Sequence, residues 1–287
     1  MQAGEVFAIE EAGLEPRYVA IVDDGTIAVT SYGSHQVMIY SGTDGTLQKT
    51  LGSRGNGDGQ LSFPVGIAID SHGRFAVADS RNHRVQVFAK DGGMACTMGR
   101  EGKGDGELMY PMGVAFDGKQ NIFVSDWGNH RIQVFAADGT FLRTFGKAGD
   151  GNGELNAPVG VVVDKSGRIV VSDCQNNRLQ VFTDDGDFVC VWGRQGESEG
   201  EFNCPMGLAL DEAGNIVVAD AKNHRLQVLD ANGRFVRSIG SSGSKLGELN
   251  VPGGVAVDES GNIVVADCKN RRVQIFAPVP KRQNHRV

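Results

Sequence analysis

The chain has 287 residues, 40% of them apolar, and a net charge of −7 at neutral pH. That apolar share supplies a globular core, no apolar run reaches the length of a spanning helix, and the acidic balance repels DNA, RNA and anionic membranes except at a local basic patch. The start at Met1 lacks a basic-then-apolar leader, and the cysteines, odd in number at five, point to a reduced, cytoplasmic setting.

In chain order, residues 5–10 form an orphan strand ahead of Pro16. A degenerate motif follows, Ser31-Tyr32-Gly33-Ser34-His35-Gln36-Val37-Met38-Ile39. Its full form, Asp79-Ser80-Arg81-Asn82-His83-Arg84-Val85-Gln86-Val87, returns at Asp126, Asp173, Asp220 and Asp267, each step 47 residues. A fixed period of that length means stacked copies of one supersecondary unit.

The copy beginning at Pro111 shows what the unit is. Val114-Ala115-Phe116 ends in the turn Asp117-Gly118, and Ile122-Phe123-Val124-Ser125 is rich in β-formers. Arg131-Ile132-Gln133-Val134-Phe135 leads to Asp138-Gly139, a hairpin signal, and Phe141-Leu142-Arg143-Thr144-Phe145 alternates with period two. No window carries a helical period. Four short antiparallel strands per repeat make a propeller blade, so the expected fold is all-β: a six-bladed β-propeller of four-stranded antiparallel blades. Blades start near residues 16, 64, 111, 158, 205 and 252 of a single domain spanning 1–280. The last repeat has three strands before Pro278 and Pro280, so strand 5–10 completes it and leaves no open edge. Residues 281–287 read as a disordered tail.

Each first strand carries a small central residue, such as Ala68, Ala115 and Ala209, between larger ones. A tapering centre demands that alternation, so this strand is expected innermost. Gln86, Gln133, Gln180, Gln227 and Gln274 recur inside the apolar third strand. Buried amides need partners, which makes them structural hydrogen-bonders.

The repeated Pro-x-Gly-Val-Ala-Val-Asp, the Asp-x-x-Asn-His-Arg-[Val/Ile/Leu]-Gln-Val-Phe and the Gly-x-Gly-Glu-Leu connector resemble NHL repeats, over about residues 16–277. In the first copy Ser31 stands for the Asp and Gln36 for the Arg, a departure from the pattern. Six such repeats resemble the C-terminal ring of tripartite-motif (TRIM-NHL) proteins. The resemblance implies a non-catalytic ring that recruits protein partners for a ubiquitin ligase, or that binds single-stranded RNA and represses messages. The RING module that carries ligase activity in that family has no counterpart here, since no Cys-x-x-Cys pair occurs.

Chain direction sorts the loops. The connector into the first strand and the loop between second and third strands open on one face, and the Asp-Gly-type turns on the other. The second face collects sixteen acids against six bases, and the first sixteen bases against seventeen acids. An anionic partner would therefore use the first face. There Arg84, Arg131, Arg178, Arg225 and Arg272 read as intra-loop partners of the motif Asp that pin the turn, worth about 0.2–1 kcal/mol each as exposed pairs. The basic set left for RNA is Arg54, Arg81, Arg100, Lys103, Lys222, Lys245, Lys269 and Arg271. Near the axis, Arg17, Val65, Met112, Val159 and Met206, with Gly253, ring the channel mouth, and Trp127 and Tyr32 occupy loop positions beside it. These are the candidate contacts for a protein partner. With Tyr32 and Trp127 as its only aromatics, the face is a poor platform for stacked bases.

No metal, cofactor or catalytic group is expected. His35, His83, His130 and His224 occupy one place in different blades, and zinc ligands must converge within about 2 Å of the ion. Gly102-Lys103-Gly104-Asp105-Gly106 has no helix behind it to receive a phosphate. Asp150-Gly151-Asn152-Gly153-Glu154 lacks the remaining ligands of a calcium loop. The inner strands offer a channel Val, Ile, Leu and Ala in place of acids or His.

Overall fold

The computed structural model describes residues 6–22 and 25–278. Glu5, the tail 281–287, and Asp23 and Asp24 of the acidic face lie outside them. Six four-stranded antiparallel sheets follow one another in chain order. Blade 3 is typical, with strand a at Pro111–Phe116, b at Ile122–Asp126, c at Arg131–Phe135 and d at Phe141–Phe145. In blade 6, Val6–Glu10 pairs antiparallel with Arg272–Phe276, from Val6 opposite Phe276 to Glu10 opposite Arg272. The ring is thus closed by its two ends, as expected. Among the described residues no helix is long and apolar enough to cross a membrane.

The a strands are innermost. Their Pro-x-Gly motif explains why: a Cβ on Gly113 would lie 2.2 Å from the Val159 carbonyl of blade 4, and one on Gly160 2.3 Å from that of Met206 in blade 5. Backbone packs directly on backbone between blades, and only glycine permits that approach. Blade 1 departs from the rule with Tyr18 at this position, and blade 6 compensates with a second glycine, Gly253-Gly254. A Cβ on Gly254 would fall 2.5 Å from the Tyr18 Cα.

Strand b is buried along its whole length in every blade. Apolar side chains from adjoining blades interlock there, as Ala76, Val85 and Val87 do with Val124 and Phe135. In blade 3 strand d alternates half-buried and exposed positions before a buried last residue, as an outer strand with one wet side does. Between b and c, blades 2–6 insert a single 3-10 turn, for example Trp127–Asn129. Three residues are too few to carry a periodic signal, so the sequence reads these as plain loop.

A candidate recognition face

The motif Asp is fully buried in blades 2–6. In blade 3, Asp126 Oδ1 accepts the Met109 N–H at 2.7 Å. Its Oδ2 accepts Asn129 Nδ2 at 2.8 Å, Arg131 Nε at 2.8 Å and Gln133 Nε2 at 3.1 Å. Arg131 also donates to the carbonyls of Gly104 and Glu107, and Gln133 to Glu107 while its Oε1 accepts Gly106 N–H. This corrects the reading of the pair as an exposed tie. With 12% of the Arg131 side chain exposed and none of Asp126, the carboxylate is an internal post that holds the connector onto its own blade.

The connector has its own fastening. Glu107 Oε2 accepts Gly104 N–H at 2.9 Å, and Glu154, Glu201 and Glu248 repeat this. That backbone bond, then Arg100, holds the Glu107 carboxyl below the usual range. The next residue, Leu108 or Leu155, is fully buried as a plug. The whole Gly-x-Gly-Glu-Leu string is therefore structural, residues 102–106 and 150–154 included.

The histidines have a different duty. His35, His83, His130 and His224 sit in the left-handed region, φ between 54° and 59°. So does the residue before each following Pro: Phe63, Tyr110, Ala157, Cys204 and Val251, φ 51° to 54°. Each histidine Nδ1 accepts the N–H of that strained neighbour in the next blade, at 3.1 Å for Phe63, 3.2 Å for Tyr110, 3.1 Å for Ala157 and 3.3 Å for Val251. Asn177 does the same for Cys204 at 2.8 Å. Bulky residues rarely adopt positive φ, at a cost of about 1–3 kcal/mol, and the inter-blade bond offsets it. Burial, and then Arg54, push the His35 pKa below its ordinary value, which keeps Nδ1 an acceptor. Among the described residues no three His, Cys, Asp or Glu side chains gather in a way that could hold a metal ion.

Two positions at each junction remain free of these duties: the residue after the motif Asp, and the residue before the next Pro. They carry the face's aromatic groups. Tyr32 and Phe63 meet across the first junction at 4.5 Å, with Arg17 4.8 Å above the Tyr32 ring and Arg81 5.3 Å above Phe63. In blade 3, Tyr110 stands edge-on to Trp127 at 6.4 Å, and the two are 37% and 38% exposed. The sequence reading missed Phe63 and Tyr110, so it understated the face's aromatic content. Their one sequence mark is the place before the repeated Pro, which does not by itself show which way they face.

The same two positions bring Cys174 of blade 4 onto Cys204 of blade 5, joined as a disulfide with Cα atoms 4.5 Å apart. Cys174 and Cys204 occupy different offsets in the repeat, so the sequence carries no sign of this pair. The pairing follows from the junction geometry that also places Tyr32 on Phe63.

Of the axial residues, Val65 and Val159 are buried at 3% and 2% exposure. They pack in one cluster with Tyr18 and Cys174, against which Met112, Met206 and Tyr32 lie half-buried. Arg17 is half-buried and Gly253 buried. Arg54, Arg81, Arg100, Lys103, Lys222, Lys245, Lys269 and Arg271 are all exposed. Arg100 is paired with Glu107 at 3.1 Å, and Arg271 reaches Glu15 at 4.0 Å. Arg17, Lys269 and Arg271 line one cavity of about 340 Å³ with Glu15 and Tyr32, at the seam between blades 6 and 1.

Compared with known proteins, residues 61–88, 108–135, 155–182, 202–229 and 249–276 match the NHL repeat. The chain is an NHL-repeat propeller. Protein lin-41 of Caenorhabditis elegans is 55% identical over 42 residues, 15% of this chain and 4% of that protein. E3 ubiquitin-protein ligase TRIM71 of Rattus norvegicus is 40% identical over 72 residues, 22% of this chain and 8% of that protein. The matched segments thus cover less than a tenth of either relative, and both relatives support the TRIM-NHL resemblance. Among solved structures, a gluconolactonase from Xanthomonas campestris superposes with a TM-score of 0.72 at 14% identity, over 96% of this chain and 89% of its own. At that identity it shares the propeller fold.

Proposed function

We propose that this NHL ring is a non-catalytic recognition domain whose first face recruits a protein partner, as the substrate-binding part of a TRIM-type ubiquitin ligase acting in the cytoplasm. The observation that carries this reading is the exposed Trp127–Tyr110 pair, on a face that also carries half-buried Met112 and Met206 and the Arg17–Tyr32 stack. Exposed Trp, Tyr and Arg on a rigid frame are the residue types that dominate protein interfaces. The ligase part of the proposal rests on the name of the TRIM71 relative.

The test replaces Trp127, Met112 and Met206 with Ala and measures affinity for a purified partner first identified with the unaltered ring. Loss of tenfold or more at unchanged thermal stability supports the placement, and unchanged affinity rejects it.

Single-stranded RNA is the second reading, and Phe63, beside Arg81, and Tyr110, beside Trp127, favour it by adding aromatic rings to the face. Against it, Arg17 and Arg81 already cover the faces of Tyr32 and Phe63, where a base would stack. A selection from randomised RNA at low salt decides the matter. Enrichment of a sequence whose affinity falls steeply with salt and needs Arg54, Arg81, Lys222 and Lys269 would replace the protein reading.

A further inference from the structure

The ring's other mouth is built differently. The last residue of each a strand (Ile21, Ile69, Phe116, Val163, Leu210 and Val257) is apolar and half-buried, and all six line an axial cavity of about 260 Å³. On blades 4–6 this space adjoins a wider one of about 600 Å³, to which Val163, Leu210 and Val257 are common. The wider cavity is walled by the a–b turns and is acidic, with five carboxylates against Lys165 and Arg168.

Those carboxylates fall into two sets. Asp164, Asp211 and Asp258 build their own turns: each accepts the backbone N–H four residues on, and a side chain from that same residue. Arg168 is held on Asp164 at 2.7 Å, so it does not neutralise the others. Glu212 and Glu259 are exposed and have no turn-building duty.

An apolar ring at the bottom of an acidic rim selects by sign as well as by shape. Phosphates and acidic segments are repelled, while a flanking Lys or Arg gains from Glu212 and Glu259, which have no ion-pair partner among the described residues. We propose that this second mouth is a docking site for a basic peptide segment of a partner protein, with one apolar side chain entering the axial cavity and flanking Lys or Arg side chains lying on Glu212 and Glu259. The site lies on the opposite face from the Trp127–Tyr110 pair, so the two readings stand or fall separately.

The test is fluorescence anisotropy with a labelled Lys-Lys-Leu-Arg-Lys peptide and two relatives, one with Ser for Leu and one with Glu for every cation. Saturable binding of the first peptide alone is expected. Glu212→Gln with Glu259→Gln should weaken it about tenfold, and Leu210→Ala should weaken it too. Asp185→Asn with Asp187→Asn removes the same charge from exposed acids of a neighbouring turn and should leave affinity within about twofold. Absence of saturable binding, equal loss in the two double variants, or indifference to the peptide's Leu overturns the proposal. Binding seen only after removal of residues 279–287, which carry Lys281, Arg282 and Arg286, would make this chain's own basic end the occupant and overturn the partner in trans.

Discussion

Replacing Asp126 by Ala tests whether the motif carboxylate is an internal post. The substitution removes the acceptor for Met109 N–H, Asn129, Arg131 and Gln133 together. It leaves the Arg131 guanidinium, 12% exposed, without its counter-charge. Breaking a buried pair in this way costs about 3–5 kcal/mol, because one charge stays buried and unmatched. At about 2.1 cal/mol/K of unfolding entropy per residue, the 287-residue chain has roughly 0.6 kcal/mol/K, so Tm should fall by about 5–8 °C.

Blade 1 supplies the internal control. There Ser31 stands in the Asp position and accepts one long bond, from Glu15 N–H at 3.4 Å. Ser31→Ala should therefore cost no more than about 1 kcal/mol, or about 2 °C. Scanning calorimetry at pH 7 on both variants compares them directly. If Asp126→Ala shifts Tm no more than Ser31→Ala does, the carboxylate is not holding connector to blade, and the reading of the repeated motif is wrong.

Three further outcomes are expected. His83→Ala should free the Tyr110 amide, seen as faster hydrogen exchange and about 2 kcal/mol of lost stability, while His83→Asn should recover most of both because Asn177 performs the same task on Cys204. Gly113→Ala places a methyl 2.2 Å from a carbonyl and should cost about 3 kcal/mol or more, whereas Gly118→Ala, with nothing within 4 Å, should be near neutral by the same melting measurement. His35 has its pKa lowered from 6.5 in the folded ring, so the unfolded chain takes up the proton first as pH falls. Its contribution is complete above pH 6.5 and declines below it, toward the lower folded value. His35→Asn should flatten the stability–pH curve in that interval, and an unchanged slope would refute the assignment.

The architecture was legible because the 47-residue period sets each strand, and because the missing fourth strand of the last repeat has an obvious donor at residues 5–10. The site was legible only in outline. Tyr110 and Phe63 look like loop residues before Pro, and nothing local shows that positive φ turns them onto the face. The buried state of Asp126 was hidden because its partner Met109 lies on the connector, outside the motif in sequence. Cys174 and Cys204 occupy different offsets in consecutive repeats, so a comparison of matching positions does not pair them. The histidines were set aside as metal ligands because each belongs to a different blade, but their bond to the next blade's backbone had no sequence signal.

That division of labour limits where recognition can reside. In blades 2–6 the motif Asp, Asn, Arg and Gln, with the His or Asn177 that follows the motif Asn in blades 2–5, the connector Glu and Leu, and the Gly of Pro-x-Gly are committed to holding strand, connector and neighbouring blade together. A surface substitution at any of them alters the frame before it alters binding. The positions that differ most between repeats are the ones the frame leaves alone: Tyr32, Ser80, Trp127, Cys174, Ala221 and Cys268 after the motif Asp, and Phe63, Tyr110, Ala157, Cys204 and Val251 before Pro. The identical backbone around the ring presents these unlike side chains at equivalent points. A partner docking on the face proposed here would therefore meet a surface with no six-fold equivalence, whose aromatic, cationic sector spans blades 1–3 and whose disulfide lies at the junction of blades 4 and 5. Such a surface can be read in one orientation only, which is what selective recognition on a nearly symmetric scaffold requires.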